Sequence, residues 1–161
     1  MPNILVVAES RAGEVRKVAF EALRLARQLP AGGEVHAILA GGPNIGSKAP
    51  ALTEHGAAVV FVTEHAALSE YNAEAPAALV AERAKSGYRA VVFSASAQGK
   101  DLAPRVAAKL GVPLAADCLS VSLDGDATTV THYLYAGKIV ATMKLTPPPA
   151  VVSVRPGAIT P

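Results

Sequence analysis

Short apolar runs alternate with segments whose apolar residues recur every three or four positions, and this alternation constrains the fold more than any other feature. The first run, Ile4 to Ala8, is unbroken, as expected for a strand that is buried on both faces of a sheet. The next segment, from Glu14 to Leu29, carries apolar residues on one helical face and charged residues on the other. Repetition of strand and helix along the chain predicts an α/β domain with parallel strands.

The pattern changes after Gly111, where three segments rich in β-branched residues follow one another. Short turn signals, Gly125-Asp126 and Ala136-Gly137-Lys138, separate these segments and indicate antiparallel hairpins. We therefore expect a parallel α/β body that ends in antiparallel strands. The predicted strands are 3–8, 34–40, 58–62, 89–93, 117–123, 128–135, 139–145 and 150–154, with a glycine-rich loop at 41–47. The predicted helices are 14–29, 49–55, one that Asn72 caps and Gly87 ends, with its apolar face at 77–84, and 100–110.

Composition excludes several classes of protein. The longest apolar runs fall far short of the roughly 20 residues of a membrane-spanning helix, so direct membrane insertion is not expected. Cys118 is the only cysteine, which excludes an internal disulfide and a thiolate metal cage. The 15 basic and 13 acidic residues are interspersed and aromatic residues make up only 4%, which disfavours a nucleic-acid partner. No export signal follows Met1, so a cytoplasmic location is expected.

The strongest candidate for a binding site follows the predicted strand 89–93. Ligands of open parallel sheets gather where strands end and helices begin, because the first backbone N–H groups of a helix attract anions. Ser94, Ser96, Gly99 and Lys100 could form an anion or nucleotide cleft there, with the loop 9–13 as a weaker second candidate. The same residue types also serve as an ordinary helix cap, and they match neither a Walker loop nor a GxGxxG turn.

No residue pattern indicates a catalytic or metal site. The four histidines, at 36, 55, 65 and 132, lack the spacing of a metal motif, and we expect them to be unrelated surface or packing residues. Cys118 is expected to be a buried, inert thiol. The candidate serines lack the Gly-x-Ser-x-Gly elbow of a hydrolase. The sequence therefore predicts a protein without catalytic residues of its own.

Several segments together resemble one known family. They include Ile4 to Glu9, Arg16 to Leu23, and Gly99 to Gly111, which reads GKDLAPRVAAKLG. Asp117-Cys118, Tyr135 to Lys138 followed by Ala141-Thr142, and the closing Ser153 to Ala158 continue the likeness in order. In these segments the chain resembles the N-terminal domain of the electron-transfer flavoprotein alpha subunit, and the likeness covers almost the whole chain. Two mild departures are Ile159, where an aromatic residue is common, and Lys100, where arginine is common.

The resemblance implies a three-layer α/β/α domain of the adenine-nucleotide-hydrolase-like type, spanning 1–154. It also implies a heterodimer with a beta subunit, which carries electrons from acyl-CoA-type dehydrogenases to a quinone oxidoreductase. In that family FAD lies mainly in a second, C-terminal domain of the alpha subunit, and AMP lies in the beta subunit. The chain stops where that domain would begin, so residues 155–161 are expected to be an extended linker. No FAD-binding residue can be transferred to this chain.

On this reading the chain is a scaffold that packs against the beta subunit through its hairpin region, with Tyr133, Tyr135 and Lys138 as interface candidates. Ordinary cross-strand packing would also account for a tyrosine pair on a sheet edge. The alternative is a stand-alone adenine-nucleotide-binding module of universal-stress-like fold. That module would use the loop 9–13 and the segment from Ser94 to Lys100.

Overall fold

The computed structural model describes residues 3–29 and 31–159. The strands are β1 Ile4–Ala8, β2 Ser10–Arg11, β3 Glu14–Val15, β4 Val35–Gly41, β5 Val59–Glu64, β6 Ala90–Ser94, β7 Leu114–Asp124, β8 Ala127–Leu134, β9 Ile139–Leu145 and β10 Ala150–Val154. The helices are α1 Lys17–Gln28, α2 Ala49–Glu54, α3 Glu74–Ala84 and α4 Ala97–Leu110, with short 3₁₀ turns at Ile45–Lys48 and Ala66–Leu68.

Eight strands form one mostly parallel sheet, in the order β5-β4-β1-β6-β10-β7-β8-β9. The strands from β5 to β7 are parallel, whereas β8 pairs antiparallel with both β7 and β9. Alternate residues of the central strands face opposite sides, and each side is covered. Helices α1 and α2 pack on one face together with apolar residues of β7, β8 and β9, and α3 and α4 pack on the other. The three-layer α/β/α prediction with antiparallel strands at its end is confirmed.

The predicted start of the first helix is wrong by three residues. A two-residue turn at Ala12-Gly13, both with positive φ, pairs β2 with β3 before α1 begins at Lys17. A two-residue turn of this kind matches the twist of the two strands that it joins. Its first residue is normally Asn or Gly rather than Ala. The backbone N–H of Arg16 donates to the Glu9 carbonyl at 2.9 Å, which holds this small hairpin against the end of β1.

Other predicted boundaries also differ from the structure, and β7 begins at Leu114 instead of 117. The glycine-rich loop predicted at 41–47 contains the 3₁₀ turn from Ile45, whose side chain is buried. Helix α4 starts at Ala97, because the Ser96 hydroxyl accepts a hydrogen bond from the backbone N–H of Gly99 and caps it.

The predicted extended tail is in part folded. Residues 156–159 form a turn and a bend, the Gly157 N–H donates to Glu21 at 2.8 Å, and Ile159 packs against the α1 side of the core. The last two residues of the predicted linker, 160 and 161, lie outside the described residues. At the start of the tail Arg155 binds both carboxylate oxygens of Asp117, at 2.7 and 3.2 Å. The tail is thus tied to the body at two points.

The buried Arg89 side chain fixes the other end of the hairpin region. Its guanidinium donates to the carbonyls of Gly125 and Ala127 and to the Thr128 hydroxyl. Arg89 lies just before β6, so the β7–β8 turn is fastened near the amino end of the parallel strands.

Gly99→Ala should destabilise the protein by about 3 kcal/mol, because an added Cβ would lie 1.7 Å from the Ser94 carbonyl oxygen. Helix propensity alone predicts the opposite sign, a gain of about 1 kcal/mol. Urea unfolding at equal m-value measures the difference. Ala108→Gly, at an exposed site of the same helix, is the control and should cost about 1 kcal/mol. A Gly99→Ala variant as stable as the parent would contradict this close packing.

Asp117→Asn should lower the free energy of unfolding at neutral pH by about 1 kcal/mol, since both members of the ion pair are partly exposed. The hydrogen bonds from Arg155 hold the pKa of Asp117 below its ordinary value in the folded protein. The contribution of this ion pair to the free energy of unfolding is therefore complete above the pKa that the Asp117 carboxyl has in the unfolded protein. It is lost as the pH falls below about 4. Asn tolerates the positive φ of this position, so the backbone is unchanged. The free energies of unfolding of the parent and of Asp117→Asn, measured across this pH range, should converge as the pH falls. A difference that stays constant would contradict the assignment.

Candidate functional site

The sheet topology creates a cleft between the ends of β1 and β6. From β1 the chain moves outward to β4 and β5, and it then returns to place β6 on the opposite side of β1. The connections at the carboxyl ends of β1 and β6 therefore diverge, which is where open α/β sheets form ligand crevices. The cleft here has a volume of about 650 Å³ and is lined by the segments that follow β1, β4, β5 and β6.

A buried carboxylate forms part of the cleft lining. Glu9 directly follows β1 and is only 8% exposed. The Ser96 hydroxyl donates a hydrogen bond to its Oε2, and Arg16 Nη1 lies 3.4 Å from its Oε1. Ser96 simultaneously caps α4, so one hydroxyl joins the carboxylate to the start of the helix.

The four residues predicted to form an anion cleft are not all brought together. Ser96 lines the cleft itself, whereas Ser94 and Gly99 line a small apolar recess beside it. The Ser94 hydroxyl donates to the Val18 carbonyl at 2.8 Å, which joins β6 to α1. Lys100 is exposed and does not line the cleft; its charge instead helps to lower the pKa of Asp117. An anion site built from these four residues stays a prediction.

A strap formed by residues 65–73 closes one wall of the cleft. It carries the 3₁₀ turn Ala66–Leu68 and, further along, Tyr71, whose hydroxyl donates to Asp101 on α4 at 2.8 Å. Burial, followed by this hydrogen bond, raises the pKa of Tyr71 well above its usual range. Gly42 lets the strap approach closely, since an added Cβ there would meet the Ser69 side chain and backbone. The strap is held at both of these contacts.

The β8–β9 hairpin presents a second surface, which we call the hairpin patch. Its large apolar side chains are exposed, and Tyr135 at the turn is 75% exposed. Tyr133 pairs with Val140 across the two strands, and Leu134 pairs with Ile139. These neighbouring pairs face opposite sides of the hairpin, so both sides of its tip are apolar. Lys138 is exposed in the same turn. The patch consists of Tyr133, Leu134, Tyr135, Ile139 and Val140.

Arg155 supports the base of this patch. Its guanidinium carbon lies 4.9 Å from the centre of the Tyr133 ring while its nitrogens bind Asp117. The tip of the β8–β9 hairpin therefore lies near the carboxyl end of β10. An exposed cluster of large apolar side chains on an anchored hairpin is typical of a protein interface.

The histidines and the cysteine contribute no reactive cluster. His36 contacts the Tyr88 hydroxyl at 2.8 Å, and His55 packs against Phe20 with ring centres 4.3 Å apart. Among residues 3–29 and 31–159 no group of three His, Cys, Asp or Glu side chains could hold a metal ion. Burial raises the pKa of the Cys118 thiol to about 12, which makes it a poor nucleophile.

The loop 9–13, predicted as the weaker candidate, lines the cleft and includes the Glu9 carboxylate. Sequence reasoning missed the contributions of Arg16 and Tyr71. Tyr71 gives no signal in the sequence, since its pairing with Asp101 joins residues 30 positions apart.

In the part of the chain that the structure describes, no helix is both long and apolar enough to cross a membrane.

Comparison with known proteins identifies the family. The sequence model of the electron transfer flavoprotein domain matches residues 4–161. The chain is 34% identical over 160 residues to the electron transfer flavoprotein subunit alpha of Bacillus subtilis, covering 98% of this chain and 48% of that protein. The alpha subunit of Syntrophomonas wolfei is 34% identical over 158 residues, with coverages of 98% and 49%. That of Megasphaera elsdenii is 37% identical over 144 residues, with coverages of 86% and 42%.

The chain spans about half the length of these curated relatives. Both the family match and the identities extend over nearly all of the sheet and its covering helices, and the resemblance seen in the sequence is confirmed. The chain therefore belongs to the electron transfer flavoprotein domain family and is similar to its alpha subunits.

Proposed function

We propose that this chain acts as the N-terminal scaffold domain of an electron-transfer flavoprotein alpha subunit and binds a beta subunit through the hairpin patch. The observation that carries the proposal is the exposed apolar tip of the β8–β9 hairpin in a member of this family. Both faces of the tip are apolar, and this is more favourable in a hairpin that a partner protein covers than in one that stays exposed to solvent. Tyr133, Tyr135 and Lys138 are the proposed contact residues.

In the proposed assembly the domain spans 1–154 and residues 155–161 lead toward a C-terminal domain. The contacts of Arg155 with Asp117 and of Gly157 with Glu21 support a defined direction for this connection. The heterodimer would carry electrons from acyl-CoA-type dehydrogenases to a quinone oxidoreductase. Electron transfer slows steeply with distance, so a rigid domain that fixes the separation of the redox partners contributes to the rate without touching a redox centre.

The apolar recess beside the strand-end cleft does not fit the ring system of a flavin. A flavin needs an apolar slot for its ring system, and the recess lined by Ser94 and Gly99 measures only about 40 Å³, against the several hundred Å³ of a ligand pocket. Ser96 already occupies the Gly99 N–H at the start of α4, and the charged group beside it is the Glu9 carboxylate, which repels a pyrophosphate. FAD is accordingly proposed to lie in the C-terminal domain and AMP in the beta subunit.

The stand-alone nucleotide-binding module stays a prediction, with less support than the scaffold. The family match and the three relatives described above are electron transfer flavoproteins or their domains. The four residues proposed to hold the anion are divided between the cleft, the recess and the α4 surface.

The direct test is association of the 161-residue chain with a purified beta subunit, measured by calorimetry and analytical ultracentrifugation. A stoichiometric complex is expected. If the isolated chain fails to bind while a full-length alpha subunit binds, the scaffold interface does not lie in this domain.

Tyr135→Asn should weaken this association about tenfold or more, because it removes the most exposed aromatic side chain of the patch. Asn is favoured at the positive φ of this position, so the turn is retained. Val59→Ser is the matched control, since Val59 is an exposed apolar residue on β5, at the other edge of the sheet. Equal loss of affinity in both variants would argue against the hairpin patch as the interface.

A further inference from the structure

We infer that two copies of this chain associate through the outer edge of β5, with the two β5 strands antiparallel and the two sheets joined into one. This edge lies at the opposite side of the sheet from β9, which carries part of the hairpin patch, so the inference is independent of the proposed function. Three features support it: the edge is unprotected, one register matches the strand with its own copy, and the two ends of the strand lie beside opposite charges.

The β5 edge lacks the features that keep sheet edges apart. Over the described ranges of the chain β5 pairs only with β4, so its outward backbone N–H and C=O groups have no strand partner. Monomeric proteins protect such edges with lysine, proline, a bulge or a covering segment. Strand β5 reads VVFVTE, its pairing with β4 is regular, and Val59 and Val62 are 37% and 39% exposed. The edge strand β9, by contrast, contains Lys144 and is followed by prolines at 147–149.

The face of β5 beside α3 is open as well. Phe61 lies in a groove of about 740 Å³, and Leu79 and Arg83 of α3 form part of its wall. The Arg83 guanidinium carbon lies 3.8 Å from the centre of the Phe61 ring, so the ring is covered on the α3 side but not toward the edge. A second sheet joined at this edge would extend the floor of the groove and remove more of this ring from water.

One antiparallel register matches β5 with a second copy of itself. A two-fold axis normal to the sheet makes each face of one copy continuous with the same face of the other, so directly opposite residues must share a face. Phe61 packs on the α3 side and Val60 on the α1 side. With the axis at Phe61, the two Phe61 side chains are neighbours and Val60 lies opposite Val62. Val59 then lies opposite Thr63, and pairs of aromatic or β-branched residues are favourable across strands.

The charges beside the two ends of β5 are opposite in sign. At the carboxyl end, the exposed Glu64 accepts the Gly46 N–H on Oε1 at 2.7 Å. At the amino end, the exposed Arg27 side chain lies over Gly56, where a Cβ would stand. Within the ranges that the structure describes, neither Glu64 nor Arg27 has an ion pair. The antiparallel copy brings its Glu64 opposite Ala58 and beside Arg27, so two equivalent ion pairs join the ends of the strands.

Analytical ultracentrifugation of the 161-residue chain, at concentrations up to about 1 mM, tests the association. We expect a monomer–dimer equilibrium with a dissociation constant of about 100 µM, because one pair of edges buries less than the roughly 1,600 Å² of a standard interface. The two-fold axis closes the assembly, so no larger species should form. A chain that stays monomeric over the whole range, or that forms open-ended polymers, would overturn the inference.

Two lysine substitutions at exposed valines locate the contact. Val62→Lys should weaken dimerisation about tenfold or more, because it places a charge between the paired strands of both copies. Val140→Lys makes the same change on the hairpin patch, at the other edge of the sheet, and should leave the dimer unchanged. A dimer that survives Val62→Lys and is lost in Val140→Lys would place the contact on the hairpin patch and contradict the inference.

A charge exchange tests the antiparallel register. Arg27→Glu and Glu64→Arg should each weaken the dimer, because each variant alone brings like charges together at both ends. In an equimolar mixture the two variants should form a heterodimer, in which one end keeps the parental pair and the other carries it reversed. Folded variants that show no gain of association on mixing would exclude this register.

Hydrogen exchange of the unmodified chain gives a readout that does not depend on the folding of any variant. Backbone amides of residues 59–64 should become more protected as the protein concentration rises, because their outward N–H groups gain strand partners. Amides of residues 139–145 should keep the same protection at every concentration. Concentration-dependent protection confined to residues outside β5 would show that a dimer forms through another surface.

Discussion

Two-sided burial of β1, β6 and β10 is the constraint on which the rest of this structure depends. These strands have almost no exposed residue, so apolar layers must cover both faces of the sheet. Crossover helices supply most of that cover, and β7 to β9 supply the rest on the α1 side. Placing β4 and β6 on opposite sides of β1 then opens a cleft at the carboxyl ends as a geometric result.

The alternation of apolar runs and helical segments carried enough information to predict this architecture. Each buried strand needs a continuous apolar run, and each covering helix needs an apolar stripe, so the two periodicities are visible in the sequence. The β2–β3 hairpin was not predictable in this way. Its turn places Ala12 at a positive φ, and the sequence gives no turn signal at that position. Contacts between residues distant in the sequence, such as that of the Ser10 hydroxyl with the Ala40 carbonyl, help to hold the hairpin in place.

The candidate site was only partly predictable, because side-chain direction depends on the exact start of a helix. With α4 starting at 97 instead of 100, Ser96 becomes its cap and Lys100 is exposed outside the cleft. Gly99 proved to be a packing requirement, since its hydrogen faces the Ser94 carbonyl. By contrast, the exposure of the β8–β9 tip could be suspected from its turn signal and tyrosines, although no pattern in the sequence shows that Arg155 supports it from 22 residues away.

The Ser96 hydroxyl has two partners, and this sharing has an evolutionary consequence. It accepts from the Gly99 N–H and donates to Glu9, so neither the helix start nor the acidic group can be altered without changing the other. Loss of the carboxylate leaves a hydroxyl without its acceptor, and loss of the hydroxyl uncaps α4 and leaves a buried charge less well solvated. Tolerated exchanges at positions 9 and 96 should therefore occur together among descendants of this chain, as a compensated pair rather than as independent drift.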